Sequence, residues 1–183
     1  MLEAATALFA ERGYAGTSLE NVASKSQVTR GAVYHHFNNK QALLEAVLGE
    51  QESQAVEKIM ASAMATADPW EAAMNAVEAF LDRCCDPDYG RLVWLEGPIA
   101  LGWDRFRECE ERYFLGLVEQ FVRALVDAGY VESTGLESTL RFIFWILGGA
   151  GLTLAETEEE DRPRVRNEWA ALIRRSLGSL LVK

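Results

Sequence analysis

The sequence predicts an all-α chain in which a small three-helix head bearing a helix-turn-helix precedes a larger helical body. Apolar residues recur at three- and four-residue spacing along most of the 183 residues, no long stretch alternates with period two, and neither Asn-Gly nor Asp-Gly marks a hairpin. That length suits a head over 1–46 and a body over 47–183, and a hydrophobic fraction of 49% is that of a globular chain rather than a disordered one.

Leu2, Ala5, Leu8 and Phe9 form the stripe of the first helix, which Gly13 ends with Arg12 near its negative pole. Thr17 and Glu20 have capping-box spacing and start a short helix carrying Leu19, Val22 and Ala23. After a tight turn at Ser26 and Gln27, Thr29 caps a third helix running to about His36. Asn38 or Asn39 then caps a fourth, from Lys40 through Met64, whose core face includes Leu43, Leu44, Val47, Leu48, Val56 and Ile59. Pro69 opens the next helix, with Ala73, Val77, Phe80 and Leu81 at core spacing, and Asp86-Pro87-Asp88 breaks the chain. Residues 89–103 read as irregular helix, interrupted at Gly97-Pro98 and ended at Gly102. Long helices follow over 104–128, 136–156 and 164–181, and the acidic run 156–161 is a solvated loop.

The richest apolar stretch, Phe142 to Leu154, is too short to span a bilayer and holds three glycines, and no signal peptide opens the chain; a cytoplasmic location is expected. Cys84, Cys85 and Cys109 are an odd count with no zinc-ligand spacing, so neither a disulfide framework nor a metal site is expected. No nucleophile motif or phosphate loop appears, and the expectation is a non-enzyme without cofactor. The net charge of -10 is unevenly placed. In residues 1–48, four cations (Arg12, Lys25, Arg30, Lys40) balance four glutamates, so the body carries the whole excess. An acidic body confines phosphate contact to the head.

The segment from Thr17 to Lys40 carries the functional signal. Ala23 is small where two helices approach, and Val22, Val28 and Val33 fix their angle, with Val33 and Phe37 facing inward. Arg30, Gly31, Tyr34 and His35 are left outward. Arg30 has the fork to pair with guanine or hold phosphate, Gly31 lets backbone approach a base edge, and Tyr34 packs on sugar or donates to phosphate. Thr17 and Thr29 place hydroxyls and free amides at helix N-termini, and Lys40 faces the backbone beyond the groove.

Residues 2–48 resemble the DNA-binding head of the tetracycline-repressor (TetR) family, through LFAERGYAGTSLENVA, VTRGAVYHHF and NKQALL in order. The resemblance implies that Thr17 and Ser18 touch phosphate, that Thr29, Arg30, Gly31, Ala32, Tyr34 and His35 belong to the recognition helix, and that His36 and Lys40 reach the backbone. Two departures stand out. Gln27 occupies a turn position usually held by Gly, where a left-handed conformation costs about 1 kcal/mol. The family's basic arm precedes its first helix, and this sequence starts within that helix.

The resemblance also implies a homodimer on a double-stranded palindromic operator. The expected interface is a four-helix bundle built from Leu140, Phe144, Leu147, Gly148 and Gly151 of one helix with Trp169, Leu172, Ile173 and Leu177 of the last. The segment from Trp94 to Trp103, facing Phe106, Tyr113 and Phe114, is expected to line a pocket for a small, largely hydrophobic effector, with Glu96 orienting it. A repressor released by ligand is the reading; an activator, a co-repressor-dependent regulator and a helical interaction module are the alternatives.

Overall fold

A computed structural model describes residues 1–182. Among them there are helices and no strands, apart from one antiparallel bridge between Val131 and Leu181. The head comprises α1 (Leu2–Arg12), α2 (Leu19–Lys25) and α3 (Arg30–His36), packed on the first turns of α4 (Lys40–Ala63). Ala5, Leu8, Phe9, Val22, Val33, Leu43, Leu44 and Val47 are buried at this junction, so α4 belongs to the head's core and also runs on into the body.

The start of α2 corrects the expected capping box by one residue. Ser18 is the cap: its Oγ accepts from the Asn21 N–H at 3.1 Å, and Asn21 Oδ1 accepts from the Ser18 N–H at 3.0 Å. Thr17 is buried instead, its hydroxyl donating to the carbonyls of Leu8 and Gly13, which ties α2 to the end of α1. Gln27 has φ 55, the left-handed conformation considered for this turn position. Val28 departs from its expected core role and is exposed.

The body begins with α4 against α5 (Pro69–Cys84), where Asp68 caps and Pro69 occupies the first turn. The chain then makes a short α6 (Pro87–Tyr89), a π-helical turn (Gly90–Glu96) and α7 (Gly97–Leu101), ended by Gly102 at φ 79. The single helix expected over 104–128 is divided: α8 (Trp103–Glu110), a second π-helical turn (Glu111–Leu115) and α9 (Gly116–Asp127). π-helical turns widen a helix locally and often mark functional sites, and both lie beside the cavity described below. The last two helices are α10 (Leu136–Glu156) and α11 (Arg162–Gly178), the latter shorter than expected.

Against the expectation that no stretch reaches membrane-spanning length, α10 is long and apolar enough by size and composition. Only 28% of its most apolar stretch is buried within the chain. Ile143, Phe144, Ala150, Gly151 and Leu154 face the protein, while Phe142, Trp145 and Leu152 face out. This corrects part of the expected interface: Phe144, Gly151, Ile173 and Leu177 are core residues of the protomer. Gly151 serves an internal approach, since a Cβ there would lie 2.4 Å from the Trp94 ring. Leu140, Leu147, Gly148 and Trp169 are half-buried, and Leu172 is exposed.

Candidate nucleic-acid interface and apolar cavity

In α3 only Val33 is buried. Thr29 caps the helix by accepting from the Ala32 N–H at 3.2 Å, which fixes the first turn and leaves Arg30, Gly31, Tyr34, His35 and His36 on the open face. A Cβ on Gly31 would meet only the Thr29 hydroxyl, at 3.9 Å, so that surface is flat enough for close approach. Arg30 lies over the Tyr34 ring at 5.1 Å and reaches Glu20 at 2.9 Å, while the Tyr34 hydroxyl donates to the same carboxylate at 3.1 Å. The Glu20 carboxyl is held below its usual range, mostly by its own backbone N–H and further by Tyr34 and Arg30. Arg30 and Tyr34, the two largest side chains of this open face, are therefore gathered on one exposed acid.

Two residues expected at phosphate are committed elsewhere. The Thr17 hydroxyl is spent inside the head, which leaves Ser18 as the half-exposed side chain at the start of α2. Lys40 Nζ donates to the Tyr14 carbonyl at 2.6 Å and sits 4.2 Å from the Tyr14 ring, so it is held at the head's edge with two donors still available.

The body encloses a cavity of about 510 Å³, almost wholly apolar. Of the residues expected to line it, Trp94, Phe106 and Phe114 form its wall, and exposed Trp103 stands at the mouth, stacked on Trp145 at 6.1 Å. Phe80 meets Trp94 and Phe114 edge-on. Tyr113 and Glu96 do not line it. Tyr113 turns toward α4, where its hydroxyl would be 2.6 Å from a Cβ on Gly49. Glu96 turns toward the head, its Oε2 accepting from the Tyr14 N–H at 2.9 Å, with Arg91 at 3.8 Å. It thereby satisfies an amide just past the C-terminus of α1. Its chain neighbours Leu95 and Pro98 remain part of the cavity wall.

Sequence reasoning missed the acids beneath the cavity. Glu52 of α4 and Glu110 of α8 are both buried. Tyr89 donates to Glu52 Oε2 at 2.9 Å, and Glu52 Oε1 has no partner. Burial pushes the Glu52 carboxyl up to about 7 and Glu110 well above the carboxylate range. A signal was present: Glu52 follows Leu48 by four residues, and Glu110 stands four from both Phe106 and Phe114, so each occupies an apolar stripe. The thiols offer no reactive anion, since burial raises Cys84, Cys85 and Cys109.

Residues 1–47 match the model for bacterial regulatory proteins of the tetR family, and residues 70–180 match a tetracyclin repressor-like C-terminal domain. The Tn10 TetC protein of Escherichia coli is 27% identical over 133 residues, 73% of this chain and 67% of that protein. The crystal structure of a TetR-family transcriptional regulator from Pectobacterium atrosepticum superposes with a TM-score of 0.85 at 28% identity, covering 100% of this chain and 92% of that one. A regulator FadR from Bacillus subtilis in complex with stearoyl-CoA shares the fold with a TM-score of 0.75 at 19% identity, covering 94% and 95%.

Proposed function

The chain belongs to the TetR family of transcriptional regulators, with a DNA-binding helix-turn-helix head, and from that premise we propose that it is a homodimeric cytoplasmic repressor released from a palindromic operator by a small hydrophobic molecule. The head, 1–46, reads DNA; the body, 47–183, pairs two chains and holds the effector. Ser18, Thr29 and Lys40 position the head on phosphate, and Arg30, Gly31, Tyr34 and His35 face the major groove.

Dimerisation is supported by the exposed apolar face of α10 and α11. Phe142 and Leu172 are more than two-fifths exposed in the single chain, flanked by half-buried Leu140 and Trp169. Two such helices per chain form a four-helix bundle and set two heads one helical turn of DNA apart, about 34–36 Å. Phe142→Glu combined with Leu172→Glu is expected to yield a folded monomer with lost operator affinity, read by sedimentation and anisotropy.

The observation that carries the effector reading is the double duty of the segment 94–98. Trp94, Leu95 and Pro98 line the cavity, and Glu96 between them holds the end of α1. A ligand that shifts this wall moves the residue that seats the head. Occupation then lowers the population of operator-competent dimers by its differential affinity for the two arrangements. The FadR complex shows the same fold holding a ligand with a long acyl chain, stearoyl-CoA. The test is a screen of apolar compounds by quenching of the cavity tryptophans, followed by operator titration at saturating compound. Bound compound is expected to weaken operator binding, and Glu96→Ala to reduce that effect. A compound that fills the cavity and leaves operator affinity unchanged refutes the mechanism; one that strengthens it makes the protein co-repressor-dependent.

A further inference from the structure

We propose that the effector carries a positive charge on an apolar frame, and that Glu110 is the group that receives it. This rests on the reading of the cavity as the effector site and adds the chemistry of what enters. Two cavities meet at Glu110. One is the apolar chamber of about 510 Å³; the other is a polar chamber of about 130 Å³ between α4 and α8, lined by Glu52 as well. Glu110 is only 6% exposed, lines both chambers, and forms no ion pair among the described residues. Its hydrogen-bond neighbour is another carboxyl, that of Glu52.

The other charged residues of the apolar chamber do not supply a cation for Glu110. Arg107 is paired with Glu111 at 3.2 Å, and Arg141 joins the same acid at 2.6 Å. Glu156, also in the lining, is a second negative charge. Around Glu52, Tyr89 donates at 2.9 Å; Arg83 is committed to Gln51 at 2.7 Å and Asp86 at 2.8 Å, and Cys84 is a neutral thiol. Cys109 adjoins Glu110, and the polar chamber is completed by Glu45 paired with Arg105, together with Glu108, Arg112 and Tyr113. An anion entering the apolar chamber would face Glu110 and Glu156, and a neutral ligand would leave Glu110 with only the neighbouring carboxyl of Glu52 and no countercharge. A lipophilic cation satisfies both the apolar wall and the buried acid.

Two buried carboxyls in contact share protons, and their titration belongs to the pair. Below about pH 7, where Glu52 is pushed up to about 7, both are protonated. Seating a cation against the pair then requires one proton to leave, through the polar chamber to water, while the remaining proton is shared between the Glu52 and Glu110 carboxyls. Binding of a permanent cation should strengthen about tenfold between about pH 6 and about pH 8, the ratio for one titrating proton with a midpoint near the middle of that range.

The test uses tetraphenylphosphonium and tetraphenylborate, which share shape and differ in charge sign. Binding to the full chain is read by tryptophan quenching, and proton release by calorimetry in two buffers of different ionisation enthalpy. The cation is expected to bind, to release about one proton at about pH 6, and to outcompete the anion. Glu110→Gln, a near-isosteric change whose fold is checked by melting, should erase the charge preference. Glu52→Gln should keep the preference, because it retains the receiving acid. Equal binding of the two probes, binding of neither, or a cation preference that survives in Glu110→Gln overturns the proposal. Cation binding with proton release but unchanged operator affinity refutes the effector reading alone.

Discussion

Two sets of glutamates show how differently water treats the same side chain in the head and in the body. Glu20 stands in solvent on α2 and collects donors: Tyr34 at 3.1 Å, Arg30 at 2.9 Å, and its own backbone N–H, which together lower its pKa. Glu52 and Glu110 lie between α4 and α8 without a cation against Glu110, and burial drives both up. Exposed, the acid holds its partners weakly, and Arg30 and Tyr34 can leave it at little cost. Buried, it is a stored proton and an unpaired acceptor, which makes it sensitive to whatever enters the adjoining cavity.

The largest way to break this comparison is at the head. Arg30→Ala with Tyr34→Ala should leave the fold intact, because both side chains are exposed, and should cost operator affinity about a hundredfold or more, on a scale of about 1–3 kcal/mol per base-edge contact. Anisotropy titration on the operator checks it.

The buried pair gives the next effect, in stability rather than binding. Glu52 has a folded pKa of about 7 against an ordinary 4.5. A raised carboxyl contributes stability that is fully present below about 4.5 and lost as pH rises through about 7. Glu52→Gln keeps the Tyr89 hydrogen bond and removes the ionisation. Its stability relative to the parent should therefore climb across that window, by at most ~3 kcal/mol, in denaturant melts at a series of pH values. Equal pH profiles would show that the pair is solvated.

Smaller effects sharpen the contrast. Gln27→Gly relieves a left-handed backbone at φ 55 and should stabilise the head by up to about 1 kcal/mol, read by thermal melting. Glu20→Gln frees Arg30 and Tyr34 and should raise DNA affinity a few-fold, with a steeper salt dependence, since one less negative charge faces the phosphates.

The head was legible because its signals are local. The turn at Gln27, the cap at Thr29 and the inward Val33 each depend on residues within a few positions. Even there the frame slipped by one at Thr17 and Ser18, because the Thr17 hydroxyl has a second use against Leu8, nine residues away. The body was legible as helices but not as a site. Glu96 and Tyr113 fit an aromatic, polar-tipped pocket by composition, yet their directions are decided by Tyr14 and Gly49, which are distant in sequence. The π-helical turns at Gly90–Glu96 and Glu111–Leu115 rotate the following residues relative to a regular helix, and no periodicity argument anticipates that rotation. The apolar stripes of α10 and α11 mixed core and surface positions for a related reason. Gly151 packs on Trp94 of the π-helical turn, which turns Phe144 inward and leaves Phe142 outside.

The most direct test of the account is selection from a random-sequence DNA pool by the dimeric protein at two salt concentrations, beside the Arg30→Ala, Tyr34→Ala variant. The account predicts enrichment of a palindrome with half-sites about one helical turn apart, affinity that falls steeply with salt, and no enrichment by the variant. A palindrome retained by the variant, or no enrichment by the parent at either salt, would contradict it.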